Sequence, residues 1–300
     1  MRRGREPVRA AMHGGKRTIG TMYEGMLAET IAITGHGGDA IEAYLARPLD
    51  SGGLPGVVVL HHMPGWDEWS KEVTRKLAYH GYAALCPHLF SRHGPGRWDD
   101  LAAAARAAGG VSDAQVMGDA AGAMQYLRTQ PYANGRVGVI GFCSGGRQTY
   151  LAACTLPGLA AAVDCWGGRV VARAEDLNER QPRAPIDLTK DMACPLLGIF
   201  GNDDGNPDVQ QVNRIEAELR KYGKAHEFHR YDGAGHGFFA VDRPAYRPEQ
   251  AVDGWKKVLS FLERHLKTAP GQPDPAVGSE KPHRGAAAEP ATAGPAAGPR

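Results

Sequence analysis

Short, fully apolar runs recur along the middle of the chain and have the composition of β-strands that are buried on both faces. Such strands are typical of parallel sheets, in which helices cover both sides. These runs lie at 57–60, 83–85, 137–140, 161–163 and 195–200, and a further strand is predicted at 226–231. The middle of the chain is therefore expected to form the strands of one sheet.

Between most of these runs, apolar side chains repeat at intervals of three and four residues, the spacing of one helix face. Helices are predicted within 68–80, 113–129, 209–219 and 252–266, and another after residue 146. Near the start, strand-like segments at 29–34 and 40–46 flank a glycine-rich turn and predict an antiparallel pair. Strands that alternate with helices predict an α/β fold with a mostly parallel, doubly wound sheet and helices on both faces.

Both ends of the chain depart from this pattern. Residues 1–22 are predicted to be a disordered basic arm, because the first 20 hold six Lys or Arg residues, one Glu and no apolar block like that of a secretory signal. Residues 269–300, rich in Pro, Ala and Gly, are predicted to be a disordered tail, which leaves 23–268 as the folded domain. The net charge of +2 comes from the arm, so the domain offers no case for binding nucleic acid.

The cysteines indicate a reducing compartment. The chain has five of them, an odd number without metal-site spacing, and no export signal, so reduced thiols and a cytoplasmic location are predicted. No apolar run reaches the length of about 20 residues that crosses a bilayer, and no membrane partner is expected. The glycine-rich segment 141–146 lacks both the P-loop lysine and the dinucleotide glycine spacing, so no cofactor or metal is predicted.

The segment 141–146, Gly-Phe-Cys-Ser-Gly-Gly, joins a predicted strand to a predicted helix. A sharp turn of this kind strains the backbone at its apex, and glycines two positions before and after it remove side chains that would clash. Gly141 and Gly145 occupy those positions around Cys143, so the spacing selects this thiol rather than the hydroxyl of Ser144. From these residues alone, a buried structural cysteine in a glycine-softened turn remains the alternative.

An acid and a histidine follow in the order expected for the partners of a nucleophile. The turn 201–205, Gly-Asn-Asp-Asp-Gly, comes directly after a predicted strand, and Asp204 is favoured over Asp203 as the acid. The loop 232–237, Asp-Gly-Ala-Gly-His-Gly, follows the next strand and carries His236. Nucleophile, acid, histidine is the order of the α/β-hydrolases, and loops that follow parallel strands meet at one edge of the sheet.

Each of these residues has a structural alternative. The aspartates could begin the next helix, although Asn206 and Pro207 already supply cap and first-turn chemistry there. The other histidines considered for the base role lie in strand-like, helix-like or tail segments. We therefore expect His236, the histidine in a loop shaped by glycines, to be the base.

These motifs resemble the dienelactone hydrolase family, a branch of the α/β-hydrolases with a cysteine nucleophile. The matching motifs are Gly-x-Cys-x-Gly-Gly, a Gly-x-x-Asp acid turn and a Gly-His-Gly-Phe loop, and similarity extends to 57–65, 81–92 and 130–138. The resemblance spans about residues 27–266. It implies an α/β-hydrolase fold, a Cys-His-Asp triad and hydrolysis of carboxylic esters or lactones.

The resemblance also implies a role for each matching residue. Cys143 would attack the carbonyl and form a thioester, His236 would move the proton, and Asp204 would orient the imidazole. Backbone amides of Ser144 and Met63 would stabilise the negative oxygen of the tetrahedral intermediate. These five residues form the predicted reaction centre.

One position departs from the family pattern. Members that open dienelactones carry a glutamate near the thiol, in the loop after the first long strand, and His62 matches it here. We expect His62 to modulate the nucleophile, since an imidazole can hydrogen-bond a thiol while it is neutral. The alternatives are that His62 only packs beneath the loop, or, less favoured, that it forms a metal pair with His61. Neighbouring strand residues point to opposite faces, which disfavours that pair.

Arginines suggest an anionic substrate. Arg92 matches a family arginine that binds the substrate carboxylate, and a guanidinium suits such a bidentate contact. Arg243 and Arg247 are both candidates for a second family arginine, with Arg243 preferred. A solvated surface role is the alternative for each.

The predicted protein is therefore a cytoplasmic hydrolase of small esters or lactones of the dienelactone type, working as a monomer or homodimer. A broader carboxylesterase or thioesterase with the same triad is the alternative within enzymes. A hydrolase-like binding protein without turnover is the alternative from another class. It is considered because His62 stands where family members that open dienelactones carry a glutamate.

Overall fold

The computed structural model describes residues 25–49 and 52–267, and the predicted arm at 1–22 and tail at 269–300 lie outside them. Within these ranges, eight strands form one sheet in the order β1-β2-β4-β3-β5-β6-β7-β8. The strands are β1 (Met26–Thr34), β2 (Ala40–Pro48), β3 (Leu54–Leu60), β4 (Ala83–Pro87), β5 (Ala133–Phe142), β6 (Ala161–Cys165), β7 (Leu196–Gly201) and β8 (His226–Tyr231).

The sheet is antiparallel at one side and parallel elsewhere. Strands β1 and β2 form the predicted antiparallel pair, and β2 also runs antiparallel to β4. From β4 to β8 every neighbouring pair is parallel. The predicted mostly parallel sheet is confirmed.

Helices cover both faces of this sheet, as predicted. They are α1 (Glu68–Tyr79), α2 (Trp98–Ala107), α3 (Asp113–Thr129), α4 (Ser144–Thr155), α5 (Val209–Lys221) and α6 (Pro248–Leu262). Along β3 the side chains alternate: Val58 and Leu60 pack in the core cluster that contains residues of α3, α4 and α5. Val57 and Val59 pack in the cluster that contains residues of α1 and α6. Because both faces of the strand are buried, its apolar sequence is unbroken.

Three details differ from the sequence interpretation. Strand β8 is half-buried rather than buried, because it lies at the edge of the sheet with β7 as its neighbour. Helix α5 is capped by Asp208, whose side chain accepts from the Gln211 amide at 2.7 Å, so the cap comes later than Asn206. Helix α2 was not predicted.

In the ranges that the structure describes, no helix has the length and apolar character of a membrane span.

Candidate active site

Cys143 lies at the turn between β5 and α4. Its φ of 57° and ψ of −118° place it outside the regions that residues with a side chain favour. A Cβ at Gly141 would lie 2.0 Å from the carbonyl oxygen of Gly145, and a Cβ at Gly145 would lie 2.1 Å from that of Leu60. The two glycines therefore allow α4 to begin directly against β5 and the end of β3, with the thiol at the apex of the turn.

Asp204 and His236 form a direct hydrogen bond at the same edge of the sheet. Nδ1 of the imidazole donates to Oδ2 of Asp204 at 2.8 Å, and the other carboxylate oxygen accepts from the Asn206 amide at 2.8 Å. Asp204 is 8% exposed, so water competes little for its oxygens. Cys143 is among the groups that raise the pKa of His236, so its thiol lies near the imidazole. The structure thus brings together the three side chains that the sequence singles out.

The surroundings of His236 favour its charged form. Burial opposes an imidazolium, but hydrogen bonds to Asp204 and Cys143, with the electrostatic attraction of both, raise the pKa of His236 to about 10. Trp166 packs edge-on to the imidazole, with ring centroids 6.4 Å apart. A protonated imidazole beside a thiol stabilises the thiolate, which is the nucleophilic form of cysteine.

Met63 and Ser144, the predicted oxyanion donors, line one small pocket. Ser144 is the first residue of α4, where backbone N–H groups have no partner within the helix and the helix dipole favours negative charge. Met63 lies in the loop that follows β3, beside the start of that helix. The role of their two amides as oxyanion donors stays a prediction.

His62 is held by Asp67. Its Nε2 lies 2.7 Å from Asp67 Oδ2, and its ring packs against Trp69 with centroids 5.0 Å apart. Asp67 is also the N-cap of α1, accepting from the Ser70 amide at 3.0 Å, and from Arg243 at 3.2 Å. Burial opposes its charge, but hydrogen bonds from His62 and Ser70 lower the pKa of Asp67 to about 2.

His61 has separate partners. Its Nδ1 lies 2.9 Å from the carbonyl oxygen of His62, and its Nε2 accepts from the Leu89 amide at 3.2 Å. Burial lowers the pKa of His61 to about 3, so the ring is neutral. Among the described residues, no group of three or more His, Cys, Asp or Glu side chains is placed to hold a metal ion.

The predicted substrate arginines differ in their surroundings. Arg92 donates to Asp39 at 2.7 Å and to both oxygens of buried Asp119 at 2.9 and 3.0 Å. Arg247 donates to the backbone carbonyls of Gly233, Pro244 and Tyr246. Of the three arginines, Arg243 contacts Asp67, the residue that also binds His62. A carboxylate-binding role for Arg92 stays a prediction, and it competes with an ion-pair cluster that already uses the guanidinium.

Sequence reasoning missed three side chains at this site: Asp67, Arg147 and Gln148. Asp67 stands five residues after His62, just before a predicted helix, and its capping position is a signal that the sequence carries. Arg147 and Gln148 lie on the first turns of α4, where they line the pocket that also contains Met63 and Ser144. Nothing in their spacing distinguishes them from ordinary helix residues.

Comparison with known proteins gives a consistent result. The model of the dienelactone hydrolase family matches residues 41–266. A Methylorubrum extorquens protein named "Putative carboxymethylenebutenolidase" is 35% identical over 256 residues, which cover 83% of this chain and 84% of that protein. A Bradyrhizobium protein named "Probable 2-oxo-3-(5-oxofuran-2-ylidene)propanoate lactonase" is 32% identical and is covered over 98% of its length, against 80% of this chain.

Solved structures agree in fold. The crystal structure named as a putative dienelactone hydrolase from Klebsiella pneumoniae superimposes with a TM-score of 0.73 at 30% identity, covering 80% of this chain and all of that one. The similarity therefore extends over the whole length of that protein.

Proposed function

Because this chain belongs to the dienelactone hydrolase family, a family of hydrolases, we propose that it cleaves carboxylic esters or lactones through a thioester on Cys143. The observation that supports this is the contact chain Asp204–His236–Cys143, whose first link is 2.8 Å long and which ends at a strained strand-to-helix turn. Dienelactone-like small acids are the first candidates for the substrate.

In the proposed first half-reaction, the Cys143 sulfur attacks the carbonyl carbon, and the carbonyl oxygen becomes negative. The amides of Ser144 and Met63 stabilise that oxygen, and the loss of one such donor typically costs about 10²–10³ in rate. The bond to the leaving oxygen then breaks, His236 gives that oxygen its proton, and a thioester remains on Cys143. Asp204 keeps the imidazole in the orientation that this transfer needs.

The second half-reaction reverses these roles. His236, now neutral, removes a proton from water, and the resulting hydroxide attacks the thioester carbonyl. The thiolate leaves and the carboxylic acid is released, so one water molecule is consumed in each cycle.

We place this chemistry in the cytoplasm. All five cysteines are free thiols, which supports a reducing compartment.

A short pulse of ester, followed by intact-protein mass measurement, tests the proposal. Wild-type protein given an aryl ester or a dienelactone should gain the mass of the acyl group. Cys143→Ala should lose both the adduct and turnover while it stays folded. Cys154→Ala removes a buried thiol near the other end of α4 and is the matched control. Retained turnover in Cys143→Ala would refute the assignment of the nucleophile.

A further inference from the structure

His61 joins two loops at the edge of the sheet where Cys143 lies. It comes directly after β3, is 1% exposed, and packs edge-on against the Phe90 ring with centroids 4.7 Å apart. Its Nδ1 lies 2.9 Å from the carbonyl oxygen of His62, in the loop after β3. Its Nε2 accepts from the amide of Leu89 at 3.2 Å, in the loop after β4. The steps of the proposed reaction do not use this imidazole.

These two partners determine which ring nitrogen carries the hydrogen. A carbonyl oxygen can only accept and a backbone amide can only donate, so Nδ1 is protonated and Nε2 is bare. Burial lowers the pKa of His61 to about 3, so the ring keeps this neutral form at the pH of ordinary enzyme assays. His61 is therefore a fixed donor towards the loop after β3.

The carbonyl that His61 holds belongs to the peptide bond between His62 and Met63. Among the described residues, the one cis peptide bond is Asn206–Pro207, so the bond between residues 62 and 63 is trans. A trans peptide is planar, and its C=O and N–H groups point in opposite directions. The Gly65 amide donates to the same carbonyl at 3.0 Å and closes a four-residue turn. Two donors thus fix the peptide plane, and with it the direction of the Met63 N–H group.

The turn leaves the Met63 amide available to another acceptor. Within the described part of the chain this amide makes no hydrogen bond, and the next residue, Pro64, has no N–H group. The start of α4 is close by, since a Cβ on Gly145 would lie 2.8 Å from the carbonyl oxygen of His61. His61, Met63 and Ser144 also line the same pocket. The held peptide therefore lies beside the helix start that carries the other predicted oxyanion donor.

We propose that His61 is a positioning residue: by holding the His62 carbonyl, its Nδ1–H group directs the Met63 amide towards the negative oxygen of the tetrahedral intermediate. This role rests on the proposed function, in which that oxygen forms in both half-reactions. A donor that is oriented in advance stabilises the transition state without a cost of reorganisation. Because the oxygen is negative only there, loss of the role should lower kcat and leave KM nearly unchanged.

Two substitutions separate the two hydrogen bonds of the imidazole. In His61→Asn the amide nitrogen can replace Nδ1, which keeps the bond to the His62 carbonyl and loses the bond from Leu89. In His61→Gln the amide oxygen can replace Nε2, which keeps the bond from Leu89 and releases the His62 carbonyl. Each variant loses one hydrogen bond, so we expect Tm to fall by similar amounts in both.

Aryl-ester kinetics should distinguish the two variants. We expect kcat of His61→Gln to fall about 10²-fold, the scale of one oxyanion donor, and kcat of His61→Asn to stay within a few-fold of wild type. Iodoacetamide should alkylate Cys143 at the same rate in all three proteins, because that reaction forms no negative carbonyl oxygen. The matched control is His226→Gln, which removes an Nδ1 contact with the Lys224 carbonyl at the start of β8 and should keep wild-type kcat.

NMR of wild-type protein labelled with ¹⁵N-histidine tests the same role without a substitution. The His61 signals, identified by their absence in His61→Gln, should show the hydrogen on Nδ1 at neutral pH. A hydrogen on Nε2 would overturn the positioning role, since the imidazole could then not donate to the His62 carbonyl.

Failure of this role and failure of the proposed function give different results. Wild-type kcat in His61→Gln, equal losses of kcat in the two variants, or alkylation of Cys143 that slows in parallel with kcat would overturn the role of His61 and leave the hydrolase intact. No turnover of aryl esters by the wild-type protein, together with no acyl adduct on Cys143, would overturn both.

Discussion

At the scale of single residues, the Asp204–His236 hydrogen bond determines when the imidazole carries a proton. With a pKa of about 10, His236 is protonated at neutral pH, and in the proposed reaction it supplies the proton that the leaving oxygen needs. Asp204→Asn removes the carboxylate that helps to raise this pKa, so the imidazole should lose its proton at lower pH. We expect the fall of kcat/KM at high pH to move to lower pH, with a loss at neutral pH of about 10³–10⁴-fold.

A pH–rate profile with an aryl ester measures this shift. Asp203→Asn makes the same change in the neighbouring residue, which is exposed, and should leave the profile in place. An unmoved high-pH limb in Asp204→Asn would show that another group controls it.

Asp67 caps α1 and also contacts His62 and Arg243. Asn is a good N-cap, so Asp67→Asn should keep the start of α1 while it removes the charge that His62 and Arg243 share. We expect unfolding free energy at pH 7 to fall by about 1–3 kcal/mol, and kcat/KM for aryl esters to fall about tenfold, the equivalent of one lost hydrogen bond.

The pH dependence of this loss has a definite sign. The pKa of Asp67 is lowered to about 2 in the folded protein from an ordinary value of 3.8. The stabilisation is therefore complete above about pH 4 and disappears as pH falls towards 2. The unfolding free energies of wild type and Asp67→Asn, measured by urea titration, should therefore converge as pH falls from about 4 towards 2. Asp208→Asn, the same change at the cap of α5, should retain activity.

At the scale of secondary-structure elements, the strand-to-helix turn could be predicted because its physical requirements are local. Gly141 and Gly145 stand on either side of Cys143, and the structure has this residue at the apex with a positive φ. The pairing of Asp67 with Arg243 could not be predicted in the same way. The two residues are 176 positions apart, and only the assembled sheet brings them together.

Gly145→Ala tests how closely α4 must approach β3. The added Cβ would lie 2.1 Å from the Leu60 carbonyl oxygen and 2.8 Å from that of His61, so backbone rather than a flexible side chain would have to move. We expect a loss of about 3 kcal/mol in unfolding free energy and a loss of activity of about 10²-fold, since small displacements of a reacting group are costly.

Thermal unfolding and aryl-ester turnover measure the two effects. Gly52→Ala is the control, because no atom lies within 4 Å of the Cβ it would add. Full activity in Gly145→Ala would mean that α4 can shift without moving Cys143 from its working position.

At the scale of the whole molecule, the parallel class of the sheet followed from the apolar runs, but its strand order did not. Strand β3 lies between β4 and β5, and runs of Val, Ile, Leu and Ala carry little information about which neighbour each strand takes. The same limit applies to Arg92. Its sequence match indicates a substrate contact, whereas its ion pairs with Asp39 and Asp119 depend on how distant segments meet.

The last turn of the described chain packs against β5, at a point on the strand distant from the nucleophile. Leu266 is fully buried and lies where a Cβ on Gly138 would meet it at 3.1 Å, and its carbonyl accepts from Asn134 at 3.0 Å. Gly138 stands five positions before Cys143 on the way to the turn. Packing at Leu266 should therefore stabilise the fold without shaping the site.

Leu266→Ala should separate stability from catalysis. Loss of a buried leucine side chain costs about 2–5 kcal/mol through lost burial and the cavity left behind, so the urea midpoint should fall. At temperatures where the variant is still folded, kcat for an aryl ester should stay at the wild-type value. Val252→Ala, at a position of α6 that is 52% exposed, should change neither quantity. A fall in kcat for folded Leu266→Ala would mean that the packing of this segment reaches the turn at Cys143 through β5.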